Sequence, residues 1–514
     1  MTKTYDVIIA GAGPIGLFLA CELGLQRASV LVLERDVHPD SEWKTFPLGM
    51  RGLSTTSVES LYRRGFLSEL YKPGERASTF EKKPGFQFGG HFAGLVLDAN
   101  KLDLNRFRYR LPGPSLAPSP TTIENLEKTL SGRAEGLGVE ILRGHGVSKI
   151  IEEEESVRLQ IDETQDFRAK WLVGCDGGRS MVRKLTGFNF VGTEPKLTAY
   201  IAKCDLENGE KLKKGFNPTK DGMYIAGIPG VYHLIDFDGG AFDRTSEITQ
   251  DHLQGVLSRV TDTTDVKITK IHTVGTTTDR AKQATSYRKN RILLAGDAAH
   301  IHSPLGAQGL NCGIGDAMNL GWKLAATLRG EAAGAPLDLT LLDTYTSERH
   351  PIGAWVTEWT RAQVETLKPD PFGRAVQGLI RDLIDTTDGT NMFLDRLWGL
   401  SQRYKLGDDE AHAHFLIGTS TPDFELDDGT RLGPKLEGGR GLLIDFAHDA
   451  TLKELVVSGP YEGKVDYLST GAKDRRDLQA LLIRPDGIVA WLAEDGGKVD
   501  MESAKSALET WFAF

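Results

Sequence analysis

The chain has 514 residues, is 40% hydrophobic and 26% charged, and carries a formal net charge of −10. These proportions describe a globular protein with a large core of its own, and the acidic surplus excludes a polyanion such as nucleic acid as the main partner. The four cysteines, Cys21, Cys175, Cys204 and Cys312, form no CxxC pair and show no zinc-ligand spacing, which excludes a disulfide scaffold and suits a reducing cytoplasm.

The length corresponds to roughly three domains. The most apolar stretch, Val7 to Leu25, contains Gly11, Gly13 and Gly16, is interrupted by Glu22, and has no basic leader or cleavage site. It therefore reads as part of a fold, not as a signal peptide or membrane anchor. No other membrane candidate and no internal repeat is visible. Tyr5 to Ala10 reads as a buried strand, Gly11-Ala12-Gly13-Pro14-Ile15-Gly16 follows it directly, and Leu17 to Arg27 reads as a helix. Ser29 to Leu33 is a second strand ended by Glu34-Arg35. The first glycine permits a tight turn, the second lets backbone approach a pyrophosphate, and the third lets helix pack on strand. Free N–H groups at the helix start favour phosphate, and Glu34, eighteen residues after Gly16, is placed for a ribose diol. The alternative is a glycine-rich turn in an unrelated parallel sheet. The motif predicts dinucleotide binding without choosing between FAD and NAD.

Further along, Phe86 to Asp103 and Thr198 to Thr276 alternate in the manner of strands with one exposed face. Between them Trp171-Leu172-Val173 reads as a strand leading into Gly174-Cys175-Asp176-Gly177-Gly178-Arg179-Ser180-Met181-Val182-Arg183. The strand Arg291 to Ala295 leads into Gly296-Asp297-Ala298-Ala299-His300 and on through Pro304-Leu305-Gly306-Ala307-Gln308-Gly309-Leu310-Asn311 to a helix. Taken singly, Asp176-Gly177 is also compatible with a plain turn and Asp297 with a helix N-cap. His300 and His302 have the spacing of a metal pair but no evident third ligand, so no metal is expected. Amphipathic helical pattern runs from Gly353 to about Ala411, and strand-like runs resume after Thr419, ending in Arg484-Pro485-Asp486-Gly487-Ile488-Val489-Ala490-Trp491. That tail has no cysteine, which excludes thiol redox chemistry there.

In this order and spacing the three motifs resemble the group A flavoprotein monooxygenases, the relatives of para-hydroxybenzoate hydroxylase, in the branch of polyketide and phenol hydroxylases with an extra C-terminal domain. The resemblance covers nearly the whole chain. It implies an α/β fold: a Rossmann-like FAD-binding domain (1–71, 104–185 and 281–352), an inserted, mainly antiparallel β substrate domain (72–103 and 186–280), a helical segment (353–411) and a thioredoxin-like C-terminal domain (419–514). It also implies bound FAD, with NADPH or NADH as a transient co-substrate and hydroxylation of a phenolic or polycyclic aromatic by O2 through a flavin C4a-hydroperoxide. The expected contacts to FAD are Gly11, Gly13, Pro14, Ile15, Gly16, Glu34, Arg35, Gly296 and Asp297, the last on the ribityl chain. Gly306, Gly309, Leu310 and Asn311 are expected at the ring, and Pro304 beside its reacting face. Asp176 and Arg179 belong to a motif linked to both FAD and NAD(P)H, and Arg51 resembles an arginine near the pyrophosphate and flavin. Pro304 and Arg51 are the expected catalytic residues; the base that deprotonates a phenol is not legible. One departure is Ile123, which stands where the family usually has a glutamine. Alternatives are an antibiotic-inactivating monooxygenase, a flavin dehydrogenase or reductase, and a non-catalytic dinucleotide sensor; a halogenase is disfavoured because no WxWxIP string occurs. A monomer or homodimer in the cytoplasm, without membrane or nucleic-acid partner, completes the expectation.

Overall fold

The computed structural model describes residues 3–76, 79–161, 165–407 and 414–513. Its central sheet has the order Arg288–Lys289, Ile292–Leu294, Asp166–Gly174, Thr4–Ala10, Val30–Glu34, Glu140–Arg143. The last five of these strands run parallel, and a hairpin (Lys149–Glu152, Val157–Gln160) extends the sheet antiparallel from Asp166–Gly174. Val7 to Ala10, Val30 to Leu33 and Trp171 to Gly174 are buried, as unbroken apolar runs must be when helices cover both faces of a parallel sheet. The helices Pro14–Leu25 and Gly309–Ala332 pack closely: a Cβ at Gly313 would meet Ile15 at 2.7 Å, and one at Gly321 would meet Glu22 at 2.4 Å.

The second sheet is antiparallel, ordered Gly215–Pro218, Gly222–Ile228, Val231–Asp236, Thr198–Glu207, Lys267–Thr278. Alternation gives it two apolar faces. Tyr200, Ala202, Tyr224 and Leu234 pack against the helix Gln250–Thr261, while Ala199, Met223 and Ile235 face the Phe88–Phe92/Leu95–Asp98 hairpin and Leu305. The insertion is closed off where Phe190–Thr193 pairs with Ala281–Ala284, beside His300–Ile301.

Two expected boundaries shift. The helix Thr340–Leu367 runs straight through the division drawn at 352, with Pro351 inside it. Helix continues as Pro371–Asp385 and Thr387–Trp398, then stops at Gly399, which caps it with φ +76°; 399–407 are not helical, and the end of the segment at 408–411 lies outside the described residues. The C-terminal sheet has the order Val465–Ser469, Gly441–Asp445, Leu478–Ile483, Val489–Glu494, the first pair parallel and the rest antiparallel, with helices Ala450–Val457 and Met501–Phe512. Among the described residues no helix is long and apolar enough to cross a membrane.

Candidate active site

The three glycine loops meet at the carboxyl ends of neighbouring parallel strands, where open α/β sheets bind ligands. Gly11 has φ +108°, and a Cβ there would sit 2.4 Å from the Cys175 carbonyl oxygen; a Cβ at Gly16 would lie 2.0 Å from the Gly11 carbonyl oxygen. Around Gly13, by contrast, there is nothing within 4 Å of an added Cβ. The first and third glycines thus serve packing, and the second leaves an open approach. Pro14 takes the first helical position, and Ile15 packs on Gly296 and Gly313, tying the first loop to the third.

Helix ends separate this site from the rest of the chain. Eight helices of five residues or more are capped by Ser54, Thr122, Ser180, Thr249, Asp370, Thr386, Asp449 or Asp500 side chains. Pro14–Leu25 and Gly309–Ala332 begin at Gly13 and Gln308 with no side-chain cap and no acid in the first turn; Thr340–Leu367 also lacks a cap but carries Asp343 in its first turn. Two long helices therefore leave N–H groups and the positive ends of their dipoles for an electronegative ligand. The Glu34 carboxylate stands at the rim, accepting from the Ala12 N–H at 2.7 Å and the Asp36 N–H at 3.0 Å; half-exposed, it keeps lone pairs for hydroxyl donors. Arg35 beside it is exposed.

Asp176 divides its carboxylate. Oδ2 accepts from the Met181 and Val182 N–H groups at 2.6 and 3.0 Å, while Oδ1 is buried without a partner. Arg179 is exposed and acts electrostatically on Arg244, which Arg280 also faces; burial, then these two like charges, push the Arg244 guanidinium below its ordinary range. Arg244 is tethered to the Thr276 carbonyl at 2.8 Å.

The third loop presents Asp297, exposed on the Gly296–Ala298 turn, and then Pro304 and Ala307, also exposed. Gly306 is buried with φ +86°, and a Cβ there would meet Gln363 Nε2 at 2.5 Å. Side chains clamp this loop from both sides. Asn311 accepts from the Ser54 N–H at 2.8 Å and donates to the Gly52 and Ala307 carbonyls at 3.0 Å each. Gln363 accepts from the Ala93 N–H at 2.9 Å and donates to the Leu305 carbonyl at 3.3 Å. Gly309 and Leu310 open the helix between these clamps. Gln363 and the side-chain duty of Asn311 escaped the sequence reading.

His300 and His302 are not brought together as ligands. His302 Nδ1 pairs with the Ser303 carbonyl, whereas His300 Nε2 lies 2.8 Å from Asp316. His300, Cys312 and Asp316 form a cluster of metal-ligating atoms, but Arg349 supplies its cation, 2.8 Å from Asp316 Oδ1 and from the Cys312 carbonyl. The same Asp316 accepts from the Gly296 N–H at 3.0 Å, so this network braces the turn that carries Asp297.

Leu305 of this loop packs with Ala199, Met223 and Ile235, on the face of the antiparallel sheet turned away from the helix Gln250–Thr261. One register row crosses that face: Phe216, Ile225, His233, Ile201 and Gly275. The segment before Arg51 lies over it: Glu42 bonds Thr273, and Trp43 occupies the space a Cβ at Gly275 would need. Arg51 acts electrostatically on His233, and His91 lies against Phe216 with ring centroids 4.4 Å apart. Ile123 starts the helix Ile123–Gly136 and donates its N–H to the Gly49 carbonyl, two residues from Arg51.

Comparison with known proteins agrees with this construction. Residues 4–360 match the family described as FAD binding domain, and residues 414–513 match the aromatic-ring hydroxylase C-terminal family. The chain is 50% identical over 507 residues to a Claviceps purpurea protein named as a monooxygenase, covering 98% of this chain and 97% of that one. It is 33% identical to rifampicin monooxygenase from Streptomyces venezuelae, over 99% of this chain and 98% of the relative. The solved anhydrotetracycline hydroxylase of Streptomyces rimosus superposes with a TM-score of 0.83 at 34% identity, covering all of both chains.

Proposed function

Since the chain belongs to the FAD-dependent aromatic-ring hydroxylases, we propose that it inserts one oxygen atom of O2 into an electron-rich phenolic or polycyclic, polyketide-like ring, with NADPH or NADH as reductant. The observation that carries this is the convergence of three glycine loops on two long helices whose N-termini no side chain caps. The residues fit FAD: an open approach at Gly13, a half-free carboxylate at Glu34 and a buried, unpartnered Asp176 Oδ1 line one edge of the sheet. FAD, when bound, supplies the hydride acceptor and the oxygen chemistry.

The chain's own residues hold and shield. Backbone at Gly11 to Gly16 takes the pyrophosphate and Glu34 the ribose, with Arg35 at the same rim. Asp297 takes the ribityl hydroxyls, and its exposure leaves both oxygens free for them. Backbone N–H groups at Gly309, Leu310 and Asn311, at the start of an uncapped helix, would stabilise negative charge on a flavin ring held there. Pro304 and Gly306 set the wall on the reacting side, kept in place by Asn311 and Gln363. Arg179, with Arg244 and Arg280, offers the phosphates of the reductant a cationic landing site; Asp176 fixes that loop. The sheet face from Phe216 to Ile201 offers side chains on which an aromatic ring would pack.

The test is an absorbance spectrum of purified protein followed by NADPH and NADH oxidation with and without a panel of phenols and polycyclic aromatics. Flavin bands, aromatic-stimulated consumption of reductant and O2, and a product heavier by one oxygen are the expected result. Protein that neither carries nor accepts FAD overturns the reading. Similarity to rifampicin monooxygenase favours a second reading, in which the ring belongs to a finished antibiotic; loss of antibacterial activity from the product would favour it over biosynthetic hydroxylation.

A further inference from the structure

The two histidines with the spacing of a metal pair have different surroundings. His300 is fully enclosed, with Nε2 2.8 Å from Asp316 and 3.6 Å from Cys312 Sγ. His302 keeps part of its surface exposed. Its Nδ1 lies 2.8 Å from the Ser303 carbonyl. A carbonyl only accepts, so Nδ1 carries the proton and, in the neutral ring, Nε2 carries a lone pair. That Nε2 is buried and has no partner among the described residues. A lone pair held away from water without a donor costs free energy, and none of the roles given above uses it.

Its neighbours say what it faces. A Cβ built on Gly309 would lie 3.5 Å from His302 Nε2 and 3.6 Å from Asp297 Oδ1. An imidazole nitrogen and a carboxylate oxygen therefore converge at the first residue of the helix Gly309–Ala332, which begins with no side-chain cap and no acid in its first turn. Asp297 is exposed and makes no bond among the described residues. Neither acceptor can satisfy the other, because neither can donate. A ligand that completes this spot must bring two donors side by side. Of the parts of FAD, the pyrophosphate brings none, the flavin ring brings a single N–H between two carbonyls, and the ribose diol has its own carboxylate in Glu34. The ribityl chain carries consecutive hydroxyls.

We propose that His302 is a further cofactor-binding residue: its Nε2 accepts a hydrogen bond from one ribityl hydroxyl of FAD, while Asp297 takes the hydroxyl beside it. The inference rests on the Asp297 contact proposed above. It gives the two histidines separate duties. His300 braces the turn that carries Asp297, through the Asp316 carboxylate that also holds the Gly296 N–H; His302 binds. Burial, joined by the His300 charge, outweighs the Ser303 carbonyl and the Asp297 charge and holds the His302 imidazolium below its ordinary range, which keeps Nε2 an acceptor at neutral pH.

The experiment titrates flavin-free, full-length protein with FAD and with FAD analogues lacking the 2′, 3′ or 4′ ribityl hydroxyl, and reads affinity from flavin fluorescence. In His302→Phe, which keeps a planar ring and removes both nitrogens, FAD should bind about tenfold more weakly, the ordinary net worth of one hydrogen bond. Removal of one particular hydroxyl should cost wild type about as much and the variant less than twofold. His302→Gln, whose amide oxygen also accepts, should recover part of the affinity and of that selectivity. The melting midpoint of the flavin-free protein should stay unchanged; should the phenyl ring disturb the loop, His302→Val carries the same expectation. The proposal is overturned if FAD affinity in both variants stays within twofold of wild type. It is also overturned if affinity falls equally for FAD and all three analogues, since a loss blind to the hydroxyls marks a structural role. The Asp297 contact fails separately, through an Asp297→Ala variant that discriminates among the analogues as wild type does.

Discussion

Replacing Arg484 with Met tests how the C-terminal domain is joined to the flavin-binding helices. Arg484 is fully buried and donates to both Glu348 oxygens at 2.8 Å and to Asp486 at 2.5 and 3.1 Å. Lys323, also fully buried, lies 3.0 Å from Glu348. Two cations thus balance two carboxylates. Burial alone would raise the Glu348 carboxyl, but Arg484 and then Lys323 outweigh it and hold the pKa at about 2, against an ordinary 4.5. That depression corresponds to about 3 kcal/mol at neutral pH, in line with the roughly 3–5 kcal/mol lost when one partner of a buried pair is removed. With an unfolding entropy of about 2.1 cal/mol/K per residue, about 3 kcal/mol lowers the melting midpoint by about 3 K if the chain melts as one unit. The shift is about 15 K if the C-terminal domain melts alone. Differential scanning calorimetry therefore reads both the strength of the junction and its cooperativity. The sign with pH follows. In wild type the Glu348 contribution is complete above the ordinary carboxylate range and disappears as pH falls toward 2. In Arg484→Met, two buried carboxylates share one ammonium, so keeping both charged becomes costly, and the loss is largest at neutral pH and shrinks on acidification. A melting difference below about 1 K, or one equal at about pH 7 and about pH 5.5, refutes the account.

Three further outcomes are expected. Gly11→Ala should remove FAD binding, because φ +108° and a carbonyl 2.4 Å from the new Cβ force the glycine loop to move; stoichiometric flavin in the purified variant would contradict this. Asp297→Ala should weaken FAD at least tenfold while leaving the melting midpoint of the flavin-free protein unchanged, since Asp297 is exposed and makes no bond among the described residues. Asn311→Leu leaves the Ser54 N–H and the Gly52 and Ala307 carbonyls without their partner, at about 1–3 kcal/mol for each buried group. It should lower kcat at least tenfold, and an unaltered kcat would show that the loop needs no clamp.

How much of this was legible in the sequence depends on how far each partner lies along the chain. The strand–glycine–helix unit at Tyr5 to Arg27 was readable because its physics is local: turn, approach and packing are set by residues within one short window. The partners of Glu348 and Arg349 were not legible, because Arg484 and Asp316 lie 136 and 33 residues away. Gln363 could not be found at all. It is a polar residue in mid-helix whose two bonds reach back 270 and 58 residues, and helical spacing carries no trace of either. The domain division expected at 352 falls inside one helix, Thr340–Leu367, because a single helix serves both sides of it.

The substrate floor falls between these cases. Alternation showed that Tyr232 to Phe237 is a strand, and hence that His233 and Leu234 face opposite sides. It could not show which side packs on the helix Gln250–Thr261 and which on Leu305, nor that five strands align Phe216, Ile225, His233, Ile201 and Gly275 in one row. That alignment is set by strand register between residues far apart in the chain, which no local pattern records.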